Sequence, residues 1–201
     1  SGELFLEMER FDRVGTSGRL GLITLHALDN QFVGRLSSWS DSARELAAQH
    51  RITATMLRNI RWLELFGLFI GNTDMHHGNV SFIAQGTRIV RLAPAYDMLP
   101  MLYAPREYHP TLPGDPSRIA PVTPTGFSST LERDAEVEYV SSMRTFPELV
   151  PPARIPLYDD IWNPVLAAAL VYWQRVSNHP YVSDDFRTIA RGNVIKLKNI
   201  R

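Results

Sequence analysis

The chain has 201 residues, 44% of them hydrophobic and 21% charged, which is enough to bury one sizeable core and predicts a single domain over 1–201. Its 21 basic and 21 acidic side chains cancel, so no overall charge attracts nucleic acid directly or holds the chain to an anionic membrane. Cysteine is absent, which excludes disulfide frameworks and thiolate metal sites and agrees with a cytoplasmic location, and no window approaches ~18 uninterrupted apolar residues.

In chain order, Glu3 to Glu9 alternates Leu4, Leu6 and Met8 with other side chains and reads as a strand. Arg10, Asp12 and Arg13 surround Phe11 in a charge cluster that suits a structural role. Gly15, Gly18 and Gly21 read as turns, because they follow the first strand where a phosphate loop should precede it. Leu20 to Leu28 is apolar with β-branched members and fits a strand or buried coil. Trp39-Ser40-Asp41 supplies a cap for a helix over Ser42 to His50. A longer helix, about Thr53 to Ile70, places Met56, Ile60, Leu63, Gly67 and Ile70 on one face and Trp62, Phe66 and Phe69 on a second. Its C-terminal half is therefore apolar nearly all round and is expected to be the buried spine.

That helix runs into the polar loop Gly71 to Asn79, followed by a hairpin of Val80 to Ile83 and Arg88 to Leu92 across Ala84 to Thr87. The hairpin leads to Tyr96-Asp97-Met98. Tyr103 to Pro124 is rich in Pro, Gly, Ser and Thr and reads as a long loop, in which Arg106, His109 and Arg118 are scattered. Ser129 to Met143 is a weakly marked helix, and Pro147 to Pro156 a proline-rich connector. Asp160, Asn163 and Pro164 open a helix with Trp162, Leu166, Ala169, Trp173 and Val176 on one stripe. Ser183 caps a last helix that ends or bends at Gly192-Asn193.

An acid, an Asn five residues later, and a second acid beyond a hairpin is the order in which protein kinases carry their catalytic groups. Phosphoryl transfer depends mainly on positioning and charge, so few protein groups suffice. In this mapping Asp74 accepts or orients the proton of the substrate hydroxyl, Asn79 gives an oxygen to magnesium, and Asp97 holds the magnesium on the ATP phosphates. His76 and His77 lack the H-x-x-x-H or H-x-E spacing of a zinc site. His77 reads as a solvated loop residue.

The run Asn72-Thr73-Asp74-Met75-His76, Asn79 and Ala93-Pro94-Ala95-Tyr96-Asp97-Met98-Leu99 closely resembles the HipA family of serine/threonine kinases, toxins of bacterial toxin–antitoxin pairs. Glu9-Arg10-Phe11-Asp12-Arg13 is similar to a segment that follows the nucleotide-contacting strand in that family. The resemblance implies a fold that is mainly α with a few short strands, like the large C-terminal lobe of a HipA-like kinase. It implies ATP and Mg2+ as cofactors, adenine contacts from the backbone near Glu7, Met8 and Glu9, and a His76 at the nucleotide site that braces Asp74 or nearby backbone. It further implies a protein substrate, for the family an aminoacyl-tRNA synthetase and the enzyme's own serine, and a HipB-like, DNA-binding antitoxin as partner.

Lysine is confined to Lys196 and Lys198, whereas a kinase needs a phosphate-contacting lysine before its catalytic loop. The expectation is a large lobe whose small lobe lies upstream, inactive by itself. Two other classes fit the residues: a nucleotide-binding pseudokinase serving as an interaction module, and a phosphotransferase acting on small molecules. Labelled phosphate passing to protein, or to sugars and drugs, distinguishes them.

Overall fold

The structure is a computed structural model that describes residues 9–103, 150 and 152–200. The expected strand before Glu9, the long loop after Tyr103 with Arg106, His109 and Arg118, and the helix over Ser129 to Met143 lie outside the described residues.

Five helices and two small sheets make up the described part, which agrees with a mainly helical fold carrying a few short strands. A two-stranded ribbon pairs β1 (Arg13–Val14) with β2 (Gly18–Arg19). The second sheet is antiparallel and runs β3 (Gly21–Thr24), β4 (Ser81–Gln85), β5 (Arg88–Leu92), with Gly21 opposite Ala84 and Thr24 opposite Ser81. The central strand β4 is buried from Ser81 to Ala84. Its partner β3 was not separable from its surroundings by sequence pattern, because the apolar run Leu20 to Leu28 changes structure midway. Thr24 caps α1 (Leu25–Phe32) by accepting from the Ala27 N–H, so only the first half of that run is strand. The hairpin is also tighter than expected: Gln85 pairs with Arg88, leaving Gly86 and Thr87 as the turn, with Gly86 at φ 59°.

Ser38, ahead of the expected Trp39 to Asp41 box, caps α2 (Trp39–Ala48). Beyond the helix His50 adopts φ 55°, with Arg51 N–H on Leu46 O at 2.8 Å. This is the left-handed helix end that glycine normally fills. Removing a non-glycine residue from that conformation relieves ~1 kcal/mol, so His50→Gly is expected to raise the unfolding free energy by about that amount in a urea titration.

Thr53 caps α3 (Ala54–Ile70), whose last two turns carry the fully buried Leu65, Leu68, Phe69 and Ile70. The expected spine is observed, with one exception: Glu64, fully buried within it. Its carboxylate accepts from Ser40 Oγ, from Ser40 N–H at 3.2 Å and from Tyr158 OH at 2.8 Å. Nearby, Arg154 donates to Asp41 at 2.8 Å and to Ser38 Oγ. Arg154 and Tyr158 come from a 3-10 segment, Pro152–Tyr158, so the described part of the expected proline connector plugs the core with polar groups.

Helix α4 (Trp162–Asn178) packs against α3 and buries Val165, Ala169, Trp173 and Ser177. Of the expected stripe only Ala169 and Trp173 are buried, while Trp162, Leu166 and Val176 are half-buried at its edges, and Trp173 Nε1 donates to Phe69 O at 3.1 Å. Ser183 caps α5 (Asp184–Lys198) as expected. The helix continues through Gly192 and Asn193, because Asn193 is buried and accepts from Tyr103 OH at 3.2 Å. A tertiary partner thus outweighs two weak helix formers. Among the described residues no helix is long and apolar enough to cross a membrane.

Candidate active site

The loop begins where α3 stops. Gly71 takes φ 73°, and Asn72 N–H returns to Gly67 O at 2.8 Å, closing a helix end of the Schellman type. Gly71 O accepts from Leu102 N–H at 2.8 Å, and a side chain at Gly71 would press on Leu102 and Tyr103 at 3.1 Å. Gly67 has a parallel use one turn earlier. A Cβ there would sit 2.9 Å from Met75 Sδ and 3.4 Å from Met98 Cε, so its bare backbone seats the residues next to Asp74 and Asp97.

Asn72 is fully buried and joins the two acidic segments. Its Oδ1 accepts from Asp74 N–H at 2.9 Å, and its Nδ2 donates to Asp97 O at 3.4 Å beside Met98 Sδ at 3.7 Å. Asn79, also buried, donates from Nδ2 to Asp74 O at 2.9 Å, which leaves its amide oxygen as the remaining polar atom. Both acids are held through their backbones, and their carboxylates are left for other partners. Asp97 is exposed at φ 55°, a strained conformation of the kind that concentrates at functional sites.

Tyr96 fixes the second segment to the first. Its OH donates to Gly78 O at 2.7 Å and meets Ser81 Oγ at 2.6 Å, and Phe11 stacks on its ring with centroids 5.8 Å apart. The segment after Glu9 therefore rests on the site through Phe11. Arg10 forks onto Asp12 at 2.8 and 2.6 Å in an exposed pair that adds little. Glu9 itself is exposed coil, and Glu7 and Met8 lie outside the described residues.

His76 opens the 3-10 turn His77–Asn79 by accepting from Gly78 N–H on Nδ1 at 3.0 Å, so it braces backbone. Its Nε2 is 3.9 Å from Asp74 Oδ1, too far for a hydrogen bond. His77 corrects the sequence reading, because it is buried instead of solvated. Ser42 Oγ gives its proton to Asp29 Oδ2 and stands 3.0 Å from His77 Nε2, which makes Nε2–H the donor to Ser42. Asp29 Oδ1 also accepts from Arg35 and Leu36 N–H at 3.1 and 2.8 Å. A buried chain of polar contacts thus links α1, α2 and the loop. Neither Asp29, Ser42 nor the linking role of Asn72 carries a sequence signal, since each acts through a residue distant in the chain.

Burial pushes the His77 imidazole down to about 4, against the pull of Asp29 and with help from His26 and His76. The unfolded chain therefore takes up a proton that the folded one refuses, and this stability is present above pH 6.5 and lost as pH falls toward 4. The stability gap between the native chain and His77→Gln is expected to narrow by about 3 kcal/mol between pH 7 and pH 4. Urea titrations at both pH values measure it.

The HipA-like C-terminal domain matches residues 1–141. The chain is 30% identical over 198 residues to Toxin YjjJ of Escherichia coli (strain K12), covering 98% of this chain and 37% of that protein. It is also similar to a chain of the Shewanella oneidensis MR-1 toxin–antitoxin complex of HipA, HipB and operator DNA, at 17% identity and a TM-score of 0.47, over 94% of this chain and 46% of that one. The chain thus spans less than half the length of these relatives. With the family's domain matched over most of its residues, the chain belongs to the HipA-like C-terminal domains.

Proposed function

We propose that the chain is the large lobe of an ATP- and Mg2+-dependent kinase that phosphorylates a protein serine or threonine, and that the full-length protein is a toxin paired with a HipB-like antitoxin. The observation that supports this reading best is the Asn72 side chain, which bonds to the backbone of both acid-bearing segments while leaving both carboxylates available. Asp74 takes or orients the proton of the substrate hydroxyl. The Asp97 carboxylate and the Asn79 amide oxygen are hard donors suited to magnesium, and Asn79 presents its oxygen because its NH2 group is occupied by Asp74 O. Bound Mg-ATP supplies the phosphoryl group and the neutralising charge. A relative of which this chain covers only 37% leaves room for the missing phosphate-clamping lysine, which no residue before Asp74 provides.

The test compares a full-length protein with residues 1–201. Labelled ATP is expected to be consumed, and protein labelled, only by the former. Turnover by residues 1–201 at rates ordinary for kinases, roughly 1 to 100 per second, overturns the reading of this chain as one lobe of two.

A further inference from the structure

A groove of about 1050 Å3 opens beside the β4–β5 turn, between α1, the end of α2, the start of α3 and the hairpin. Its apolar lining includes Ile23, Leu28, Phe32, Met56, Leu57 and Ile89. The titratable side chains that line it are His50, Arg51 and Arg88, all exposed, and among the described residues no carboxylate does. Arg51 sits over the Phe32 ring at 4.1 Å, and among the described residues neither Arg51 nor Arg88 is in an ion pair. His50 faces this groove from the left-handed position where glycine would be cheaper. Its left-handed backbone closes α2, and its exposed side chain is left on the groove lining.

We propose that this groove docks an acidic segment of a partner protein, with aliphatic side chains on its apolar lining and carboxylates against Arg51, Arg88 and His50. Charge selects the occupant: the lining is cationic and unopposed, while the chain as a whole is neutral and exerts no long-range pull on polyanions. A nucleic-acid backbone satisfies the arginines but leaves the apolar lining unfilled. A peptide with both acids and aliphatic groups satisfies each part. The groove runs from the Gly86-Thr87 turn along the sheet to Ile23, opposite Phe82, and no residue of the Asn72–Asn79 loop lines it. Docking therefore leaves that loop clear, and the proposal stands whether or not the loop transfers phosphate.

Selection of a random dodecapeptide phage library on the chain, followed by fluorescence anisotropy with the recovered peptides, tests it. The expected result is a shared pattern of at least two acids beside aliphatic residues. Binding should weaken at least tenfold in Arg51→Glu/Arg88→Glu, weaken as salt rises, and persist in Arg91→Glu, an exposed site on the same hairpin outside the groove. Circular dichroism establishes that the variants fold, and Arg88→Gln, with at least a threefold loss, replaces the double reversal if it does not. No peptide, peptides without acids, binding that survives the charge reversal, or a single-stranded oligodeoxythymidine that binds the groove as tightly, overturns the proposal.

Discussion

In a full-length protein, Asp74→Asn and Asp97→Asn are both expected to abolish phosphoryl transfer while failing in different ways. Asp97 is proposed to ligate the magnesium that neutralises the nucleotide phosphates, so its loss should weaken Mg-ATP binding along with the chemistry. Asp74 is proposed to act on the substrate hydroxyl alone, so its loss should spare ATP affinity and lower the rate by about 100-fold or more. Both side chains are exposed, and the structure holds each segment by backbone contacts that the substitutions keep, so the fold should survive. Calorimetric titration of Mg-ATP into each variant decides the matter. Equal loss of affinity in both, or unaltered affinity in Asp97→Asn, means that the two roles are wrongly assigned.

The largest stability effect is expected at Arg154. Burial raises Glu64 above the usual carboxylate range, while the positive charge of Arg154 and the bonds from Ser40 and Tyr158 pull it back. Arg154→Met removes the cation and leaves the acid uncompensated in the core, at a cost of about 3 to 5 kcal/mol. Glu64 then rises further and takes up a proton on folding. A carboxyl whose folded value is raised adds stability below its unfolded value and loses it as pH rises, so the deficit of Arg154→Met should be smaller at pH 5 than at pH 8. Adding Glu64→Gln to Arg154→Met should recover much of the loss. Denaturation of the single and double variants at both pH values measures this, and additive costs would show that the two residues are independent.

What could be read from the sequence is what depends on near neighbours. The spine helix, its stop at Gly71, the hairpin and the Ser183 cap of α5 follow from spacing and caps within one or two turns, and of the α4 stripe Ala169 and Trp173 do. The helix over Leu25 to Phe32 was hidden because an apolar run of that length fits strand, coil or helix alike. The continuation of α5 past Gly192 depends on Tyr103, a residue ninety positions earlier in the chain. Glu64 disappears into an apolar pattern as if it faced water, since its partners come from Ser40 and Tyr158. At the site, the order of acid, amide and acid is local and legible. The clamp by Asn72 and the burial of His77 against Ser42 arise only after folding, so neither could be seen in spacing.

The bond from Leu102 N–H to Gly71 O gives the stretch between them the character of a cassette. Its entry and exit are clasped at one point, so the geometry at Asp74 and Asp97 is fixed near the clasp and does not depend on how far the hairpin extends between them. Loop-closure entropy grows slowly, by about 0.6 kcal/mol for each doubling of length. The Gly86-Thr87 turn can therefore lengthen, shorten or change sequence among relatives, reshaping the groove it borders, while the two carboxylates stay in register.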